Sequence, residues 1–262
     1  MNKAGAHPES VKITRGDFWK VFLASFFMQA VWNFRTLLSI GFSFCLFPIM
    51  DKLCGSSEEK RDFVQRHLQF FNAHPYFASF ALGVSIRLEE MQVNGEIGSR
   101  ETLEHIKNRL IGPLGAVGDK LFWATIKPGA LVFGMLGVYL APGWKWKLAA
   151  LVVTFLLYNI PHLRLRYRGI VEGYENPIRI KQYIEARRFE PLRKVYLWIW
   201  ILSLLGIIAA FAAGLTAVNP WLILILALSA LYTYWVKKKF HNFYVTATAV
   251  FLLAIAAGIL FI

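Results

Sequence analysis

The chain of 262 residues is strongly basic, with 29 lysines and arginines against 16 acidic residues and a formal net charge of +13. Hydrophobic residues make up 56% of it and charged residues only 17%, which departs from the balance of a soluble domain and indicates contact with lipid. Much of the positive charge lies beside apolar runs, as is typical of residues next to a membrane, so we expect no nucleic-acid partner.

Residues 1–127 are predicted to form a helical region of amphipathic or re-entrant hairpins. The runs 19–34 and 36–50 are apolar, but three polar residues interrupt them: Gln29, Asn33 and Arg35. Such a segment is too polar for a helix surrounded by lipid and too apolar for a surface in water. A hairpin packed against protein fits better, because irregular backbone at membrane depth is tolerated only where protein or a water-filled cavity surrounds it.

Residues 128–163 are predicted to form a short hydrophobic helix pair, with a turn near Gly143. Each apolar run of this pair is close to the lower limit of roughly 17 residues for a helix that crosses a bilayer. Two arrangements are therefore open. The pair either spans the membrane fully or forms a hairpin that enters and leaves on the same side.

Residues 164–194 are predicted to form a cytoplasmic loop, because nine basic residues face only four glutamates there and basic loops stay inside. Residues 195–262 are predicted to form three transmembrane helices. The run 195–236 has no charged residue and is divided by Asn219 and Pro220, and a further uncharged run covers 242–262. This topology puts the lysines 237–239 inside, with the turn at 217–220 and the C-terminus outside.

A first group of candidate site residues lies in the N-terminal apolar region. Gln29 and Asn33 place two amides within one helical turn, beside the indole ring of Trp32. Amides bond to sugar hydroxyls and an aromatic ring stacks on the apolar face of a sugar, so these residues are candidates for a sugar site. They are equally compatible with hydrogen bonds between helices in the membrane.

A second group of candidates is spread over residues 67–119. His67 and His74 have no ligand partner at a metal-site spacing, so Asn72 and His74 are interpreted first as a helix end and a turn before Pro75. Glu89 and Glu90 need partners or solvent, and a carboxylate near a pore could also hold a sugar hydroxyl.

The glycine-rich stretch 112–119 does not have the spacing of a nucleotide-binding loop, and its last residue, Asp119, is interpreted as a helix cap. The sequence shows no catalytic triad, metal motif or dinucleotide fingerprint, so we expect no catalytic residues, metal or cofactor in this chain.

Taken in order, these clusters resemble the IID component of the mannose/fructose/sorbose family of the bacterial phosphoenolpyruvate-dependent sugar phosphotransferase system. The matching stretches include 22–34 (FLASFFMQAVWNF), 67–76 (HLQFFNAHPY), 88–90 (LEE) and 112–119 (GPLGAVGD). A looser match continues through 158–159, 166–169 and 173–174. The likeness covers roughly residues 15–200. Arg35 stands where the family usually has glutamate, Lys120 stands where it usually has proline, and the turn at 217–220 is shorter than in the family.

The resemblance implies a non-phosphorylated, multi-pass permease subunit in the bacterial inner membrane, surrounded by membrane lipid. It would translocate a hexose together with a IIC membrane subunit, and phosphorylated IIA and IIB proteins would phosphorylate the sugar. The alternative is a transport-incompetent relative that acts as an assembly or regulatory subunit for phosphotransferase proteins.

Within this interpretation we assign candidate roles to nine residues. The substrate-binding candidates are Gln29, Trp32, Asn33, Asn72 and Glu90. The structural or gating candidates are Arg35, His74, Glu89 and Asp119. Arg35 is expected to pair with Glu89, Glu90, Asp119 or a carboxylate of the IIC partner, because an isolated arginine at membrane depth is costly.

Overall fold

The computed structural model describes residues 10–96, 100–218 and 221–240. Across these residues the backbone is almost entirely helical and contains no β-strand, only two isolated bridges. The first four helices are α1 (Arg15–Ala24), α2 (Ser39–Leu53), α3 (Ser57–His67) and α4 (Ala78–Val93). They are followed by α5 (Arg100–Gly118), a π-helix (Asp119–Ile126), α6 (Lys127–Leu140) and α7 (Trp144–Glu175). The short α8 (Ile180–Tyr183) precedes α9 (Ala186–Val218) and α10 (Trp221–Phe240).

Within the part of the chain that the structure describes, three helical stretches are long and apolar enough to cross a membrane: Ile106–Leu140, Trp144–Glu175 and Ile180–Gly214. The first joins α5, the π-helix and α6 without a break. The expectation of an all-α membrane protein is thereby confirmed. The chain divides into two compact units, Met1–Ile201 and Leu202–Ile262, and every site described below lies in the first unit.

The helices of the middle region are longer than the hydrophobicity pattern alone indicates. The expected short pair at 128–163 is part of two long helices, which turn at residues 141–143. The segment 164–194, expected to be a loop, is helical except at residues 176–179 and 184–185. Its many arginines belong to the end of α7 and the start of α9, where charged side chains extend from a helix without interrupting it. Residues 219–220 and 242–262 lie outside the described residues, and the expected topology stays a prediction.

Local signals in the sequence account for several helix starts. At α3 a capping box forms, in which the Glu59 N–H donates to the Ser56 hydroxyl at 3.1 Å and the Ser56 N–H donates to the Glu59 carboxylate at 3.3 Å. At α1 the Thr14 N–H and hydroxyl both donate to Asp17, which also pairs with Lys52 at 2.6 Å. This pairing fixes the start of α1 against the end of α2.

The core of the first unit is the crossing of α4 with the second half of α7. Each helix carries a small residue at i and i+4 on the contact face: Ser79 and Gly83 on α4, Gly169 and Gly173 on α7. A Cβ atom added to Gly83 would overlap the Ile170 carbonyl oxygen. Small residues let the two backbones approach closely, as is typical of helices that associate within a membrane.

Candidate functional site

A cavity of about 380 Å³ lies where the turn after α1, the segment before α4 and the α5–π-helix junction meet. Its volume is within the range of roughly 300–1,000 Å³ for small-molecule sites. Polar and aromatic side chains line much of it: Gln29, Trp32, Asn72, His74, Asp119 and Trp123. The cavity therefore brings together five of the nine candidate residues, which are up to 90 positions apart in sequence.

A tight turn after α1 forms one wall of this cavity. The Asn33 and Leu37 backbones bond to each other in both directions, and Leu37 adopts a positive φ of 56° to close the turn. The turn is joined to a second segment by the Leu38 N–H, which donates to the Phe71 carbonyl at 2.9 Å. Because Asn72 follows Phe71 directly, this bond holds Asn72 close to the turn.

The polar groups at the cavity have unused hydrogen-bonding capacity. Gln29, Asn72 and Asp119 are exposed, and none of their side chains has a hydrogen-bond partner among the described residues. The indole rings of Trp32 and Trp123 are also about half exposed, at 48% and 54%. Free amides and a carboxylate beside flat apolar rings form a surface suited to a polyhydroxylated ligand.

The opposite wall of the cavity is a π-helix, Asp119–Ile126. The wider turn of this conformation is visible in the Thr125 hydroxyl, which donates to the carbonyl of Lys120, five residues earlier, at 2.9 Å. Asp119 and Trp123 both line the cavity from this segment. π-Helices are rare and occur frequently at functional sites, so this segment is a second indication that the cavity has a function.

His74 is buried at the back of the cavity, where its ring stacks on Phe122 with centroids 5.3 Å apart. Gly118 makes room for the ring, since a Cβ atom there would overlap it. Burial, with the positive charge of Arg166, lowers the pKa of His74 to about 3, so the ring is neutral at pH 7. Its Nδ1 atom accepts a hydrogen bond from the Tyr76 N–H at 3.2 Å, so the single ring proton of the neutral form is on Nε2. His74 therefore acts as a neutral packing residue behind the exposed amides.

Two of the predicted sugar contacts lie elsewhere and are already hydrogen-bonded within the chain. The side-chain amide oxygen of Asn33 accepts hydrogen bonds from the N–H groups of Arg35 and Thr36 at 3.0 and 2.9 Å and so closes the turn. Glu90 is 1% exposed, and its oxygens accept from the Ile13 N–H, the Arg87 guanidinium and the Tyr174 hydroxyl. The assignment of Asn33 and Glu90 as sugar contacts stays a prediction.

Glu89 is buried and held by hydrogen bonds within the chain, and its assignment as a structural or gating residue stays a prediction. Arg66 donates to both of its oxygens, at 3.1 and 2.9 Å, and the His67 ring bonds to it at 3.0 Å. Burial alone would raise the pKa of Glu89, but the hydrogen bonds from His67 and Arg66 outweigh it and lower that pKa below its usual range. Burial lowers the pKa of His67, so the ion pair is that of Arg66 with Glu89.

Arg35 is exposed, and it forms no ion pair with Glu89, Glu90 or Asp119. Glu89 and Glu90 are instead engaged with Arg66 and Arg87. The expected pairing within the chain is therefore absent between these residues. A side chain that reaches water needs no buried partner, which accounts for the difference. A carboxylate of a IIC partner remains the other predicted partner of Arg35.

A buried polar cluster that the sequence did not indicate lies between α7 and the segment before α4. The Tyr76 and Tyr158 hydroxyls are 2.6 Å apart, and the His162 ring stacks on Tyr76 with centroids 3.9 Å apart. Arg166 is 4% exposed, donates to the hydroxyl and the carbonyl oxygen of Ser25, and lies 5.0 Å from the Tyr76 ring. No carboxylate pairs with it in the described part of the chain. This cluster ties α7 to the residue that follows α1 and to the segment before α4.

Comparison with known proteins assigns the family. Residues 12–222 match the model of the PTS system mannose/fructose/sorbose family IID component. The chain belongs to this family. The mannose-specific EIID component of Escherichia coli (strain K12) is 38% identical over 170 residues, which are 64% of this chain and 58% of that relative. The fructose permease IID component of Bacillus subtilis (strain 168) is 30% identical over 181 residues, 69% of this chain and 64% of the relative. This IID component thus spans less than two thirds of the length of these curated relatives.

Two solved structures share the fold of this IID component. One is a chain from the complex of the mannose transporter ManYZ with microcin E492, with a TM-score of 0.58 and 27% identity, covering 96% of this chain and 98% of that one. The other, described as a membrane protein, has a TM-score of 0.70 and 26% identity over 94% and 96% of the two chains.

Proposed function

We propose that this IID chain is the membrane subunit of a sugar phosphotransferase permease and that it translocates a hexose together with a IIC partner. The cavity that contains Gln29, Asn72 and Asp119 is its contribution to the sugar path. The observation that carries this proposal is the convergence of three unengaged polar side chains and two indole rings on one cavity of about 380 Å³. Phosphorylation of the sugar is assigned to IIA and IIB proteins, and the chain itself is proposed to be non-catalytic.

The surface beside the cavity supports the need for a membrane partner. Large apolar side chains of α1, the following turn and α2 are exposed: Trp19, Phe27, Trp32, Phe34, Phe44 and Phe47. Exposed apolar patches of this kind mark contacts with protein or lipid. We propose that this face packs against IIC, which would close the open side of the cavity. The protein is placed in the bacterial inner membrane, with the arginine-rich segment 164–194 on the cytoplasmic side.

The regulatory alternative is not favoured by the relatives, which are named as sugar-specific components or as a permease. It makes a different prediction for transport, since it requires assembly without sugar uptake. Uptake measurements in cells that express this chain with IIC, IIA and IIB therefore distinguish the two functions. Labelled mannose, fructose and sorbose are the sugars to test first.

The decisive variant is Asn72→Ala, which removes an exposed amide from the cavity. Loss of one hydrogen bond to a sugar hydroxyl costs roughly 1–3 kcal/mol, so half-saturation of uptake should move to higher sugar concentration while the amount of complex is unchanged. Asn159→Ala is the matched control, because that half-buried asparagine lies outside the cavity and, among the described residues, bonds to a carbonyl of its own helix. Equal uptake by the Asn72 and Asn159 variants would contradict the proposed site.

A second measurement addresses the partner. Expression of the chain with and without IIC should give a clear difference in yield and thermal stability, since the apolar face at the cavity would otherwise be uncovered. Equal yield and equal stability in both cases would contradict an obligate complex.

A further inference from the structure

A second cavity, of about 350 Å³, lies between the second half of α7 and the first turns of α9, away from the sugar cavity. Its wall is mostly apolar and includes Ile160, Leu165 and Leu192, while charged residues stand along one side. These charged residues are Arg164, Arg168, Glu172 and Arg188. The cavity is therefore amphipathic, with an apolar trough beside a positively charged edge.

The charged edge has an excess of positive charge that the chain does not neutralise. Glu172 is the only acid lining the cavity, and both of its oxygens are bonded to Arg168 and Arg188 at 2.7–2.8 Å. Arg164 is exposed and has no ion-pair or hydrogen-bond partner in the described ranges. Three guanidinium groups thus line the cavity beside one carboxylate, which bonds to only two of them, and donors are left free for an external anion.

The position of the cavity on the helices determines what kind of anion can reach it. Residues 148–163 of α7, just before Arg164, form an apolar stretch whose side chains are largely exposed. Both α7 and the segment that includes α9 are long and apolar enough to span a bilayer. The arginines stand where the apolar stretch of α7 ends, which is the level of the lipid headgroups when that stretch crosses the hydrocarbon. Basic pockets between transmembrane helices at this level bind anionic headgroups.

We propose that this cavity binds an anionic phospholipid. The phosphodiester contacts Arg164 and the guanidinium N–H groups of Arg168 and Arg188 that Glu172 leaves free. One acyl chain lies along Ile160 and Leu165. A free phosphate would use only the charged edge, whereas a zwitterionic lipid would bring its own cation to an edge that is already positive. Both the headgroup charge and the acyl chain are therefore required for tight binding.

The test uses the full chain, with any partner that co-purifies, in a mild detergent. Native mass spectrometry measures binding of dioleoyl phosphatidylglycerol, dioleoyl phosphatidylcholine and inorganic phosphate. Each arginine near a membrane surface contributes about 1 kcal/mol, so Arg164→Gln should weaken phosphatidylglycerol binding about five-fold. The double variant Arg164→Gln with Arg168→Gln should weaken it about thirty-fold, and phosphatidylcholine should bind weakly to every form.

Arg187→Gln is the charge-matched control, because Arg187 is exposed beside Arg188 but does not line the cavity. It should bind phosphatidylglycerol as the unchanged protein does. Three results would overturn the proposal: the same loss in the Arg187 and Arg164 variants, equal binding of the two lipids, or displacement of phosphatidylglycerol by inorganic phosphate at equal concentration. The exposed positions of Arg164 and Arg187 keep both variants foldable, and a thermal melt verifies this.

Discussion

The two halves of α7 differ in which side chains they bury. In the first half most residues after Lys147 are apolar and many are exposed, with Leu148, Leu151 and Phe155 between 52% and 64% exposed. In the second half, the buried residues include Arg166 and Gly169. A soluble protein would bury the apolar half and expose the charged one. The exposure of the apolar side chains indicates that lipid or a partner surrounds the first half, whereas small and polar side chains hold the second half against α4.

The largest expected effect is at Glu90, where α4, α7 and the N-terminal segment are joined by one carboxylate. Glu90→Ala leaves the Arg87 guanidinium and the Tyr174 hydroxyl without their shared acceptor, which should lower the free energy of unfolding by about 3–5 kcal/mol. Glu96→Ala is the control, because Glu96 bonds to the same arginine from an exposed position and should change stability by at most about 1 kcal/mol. Unfolding in mixed detergent micelles measures both.

The Glu90 variant also distinguishes its structural role from a sugar contact. A purely sugar-binding carboxylate would leave the unfolding curve unchanged and impair only uptake. A normal unfolding curve together with lost uptake would therefore show that the hydrogen bonds of Glu90 contribute little to the stability of the fold.

The comparison within α7 is tested most directly by one pair of truncations. Ile170→Ala removes a fully buried side chain and should cost roughly 2–4 kcal/mol, because the closely packed crossing cannot fill the space. Leu151→Ala removes similar atoms from an exposed position and should change stability by less than about 0.5 kcal/mol. Equal losses of stability in the two variants would show that the two halves of α7 do not differ in burial.

A smaller effect is expected from adding one methyl group at the crossing. Gly83→Ala places a Cβ atom against the Ile170 backbone and should cost about 1–3 kcal/mol, although alanine favours a helix more than glycine does. Gly143→Ala adds the same atom at a position with nothing within 4 Å and an extended φ of −165°. Thermal unfolding of the two variants side by side should show a lower midpoint for Gly83→Ala alone.

The smallest effect is a pH dependence that arises from Glu89. Its pKa in the folded protein is below the ordinary value of 4.5, so its contribution to stability is fully present above pH 4.5 and is lost as the pH falls through the folded-state value. Stability should therefore decrease on acidification in this range, and the decrease should be smaller in Glu89→Gln. An identical acid profile in the variant and the unchanged protein would assign the decrease to other groups.

The sequence predicted the helical membrane fold because long runs without charge allow few other structures. It also singled out Gln29, Trp32, Asn72, His74 and Asp119, which the structure brings to one cavity. The helical character of 164–194 was missed because its positive charge was interpreted as a sign of a loop. Helix periodicity was the available signal: Tyr158, His162, Arg166, Gly169 and Gly173 recur every three or four residues.

Other features depend on tertiary contacts and could not be predicted. The pairing of Leu38 with Phe71, which brings Asn72 close to the turn that Asn33 closes, joins segments more than 30 residues apart. The π-helix has no composition of its own that separates it from α-helix. The exposure of Arg35 likewise follows from the direction of the turn at residues 33–37.

The π-helix Asp119–Ile126 has a consequence for the rotational phase of the long helix that contains it. Each residue of an α-helix advances the rotation by about 100° and the axis by about 1.5 Å, so a surplus residue in a wide turn offsets the faces on its two sides. Conversion of this segment to regular α-helix would turn Asp119 and Trp123 about the helix axis relative to the residues of α6. The cavity wall would then present a different set of side chains, while α6 kept its place. A wide turn at this position thus sets how the cavity wall is rotated relative to the helix that follows it.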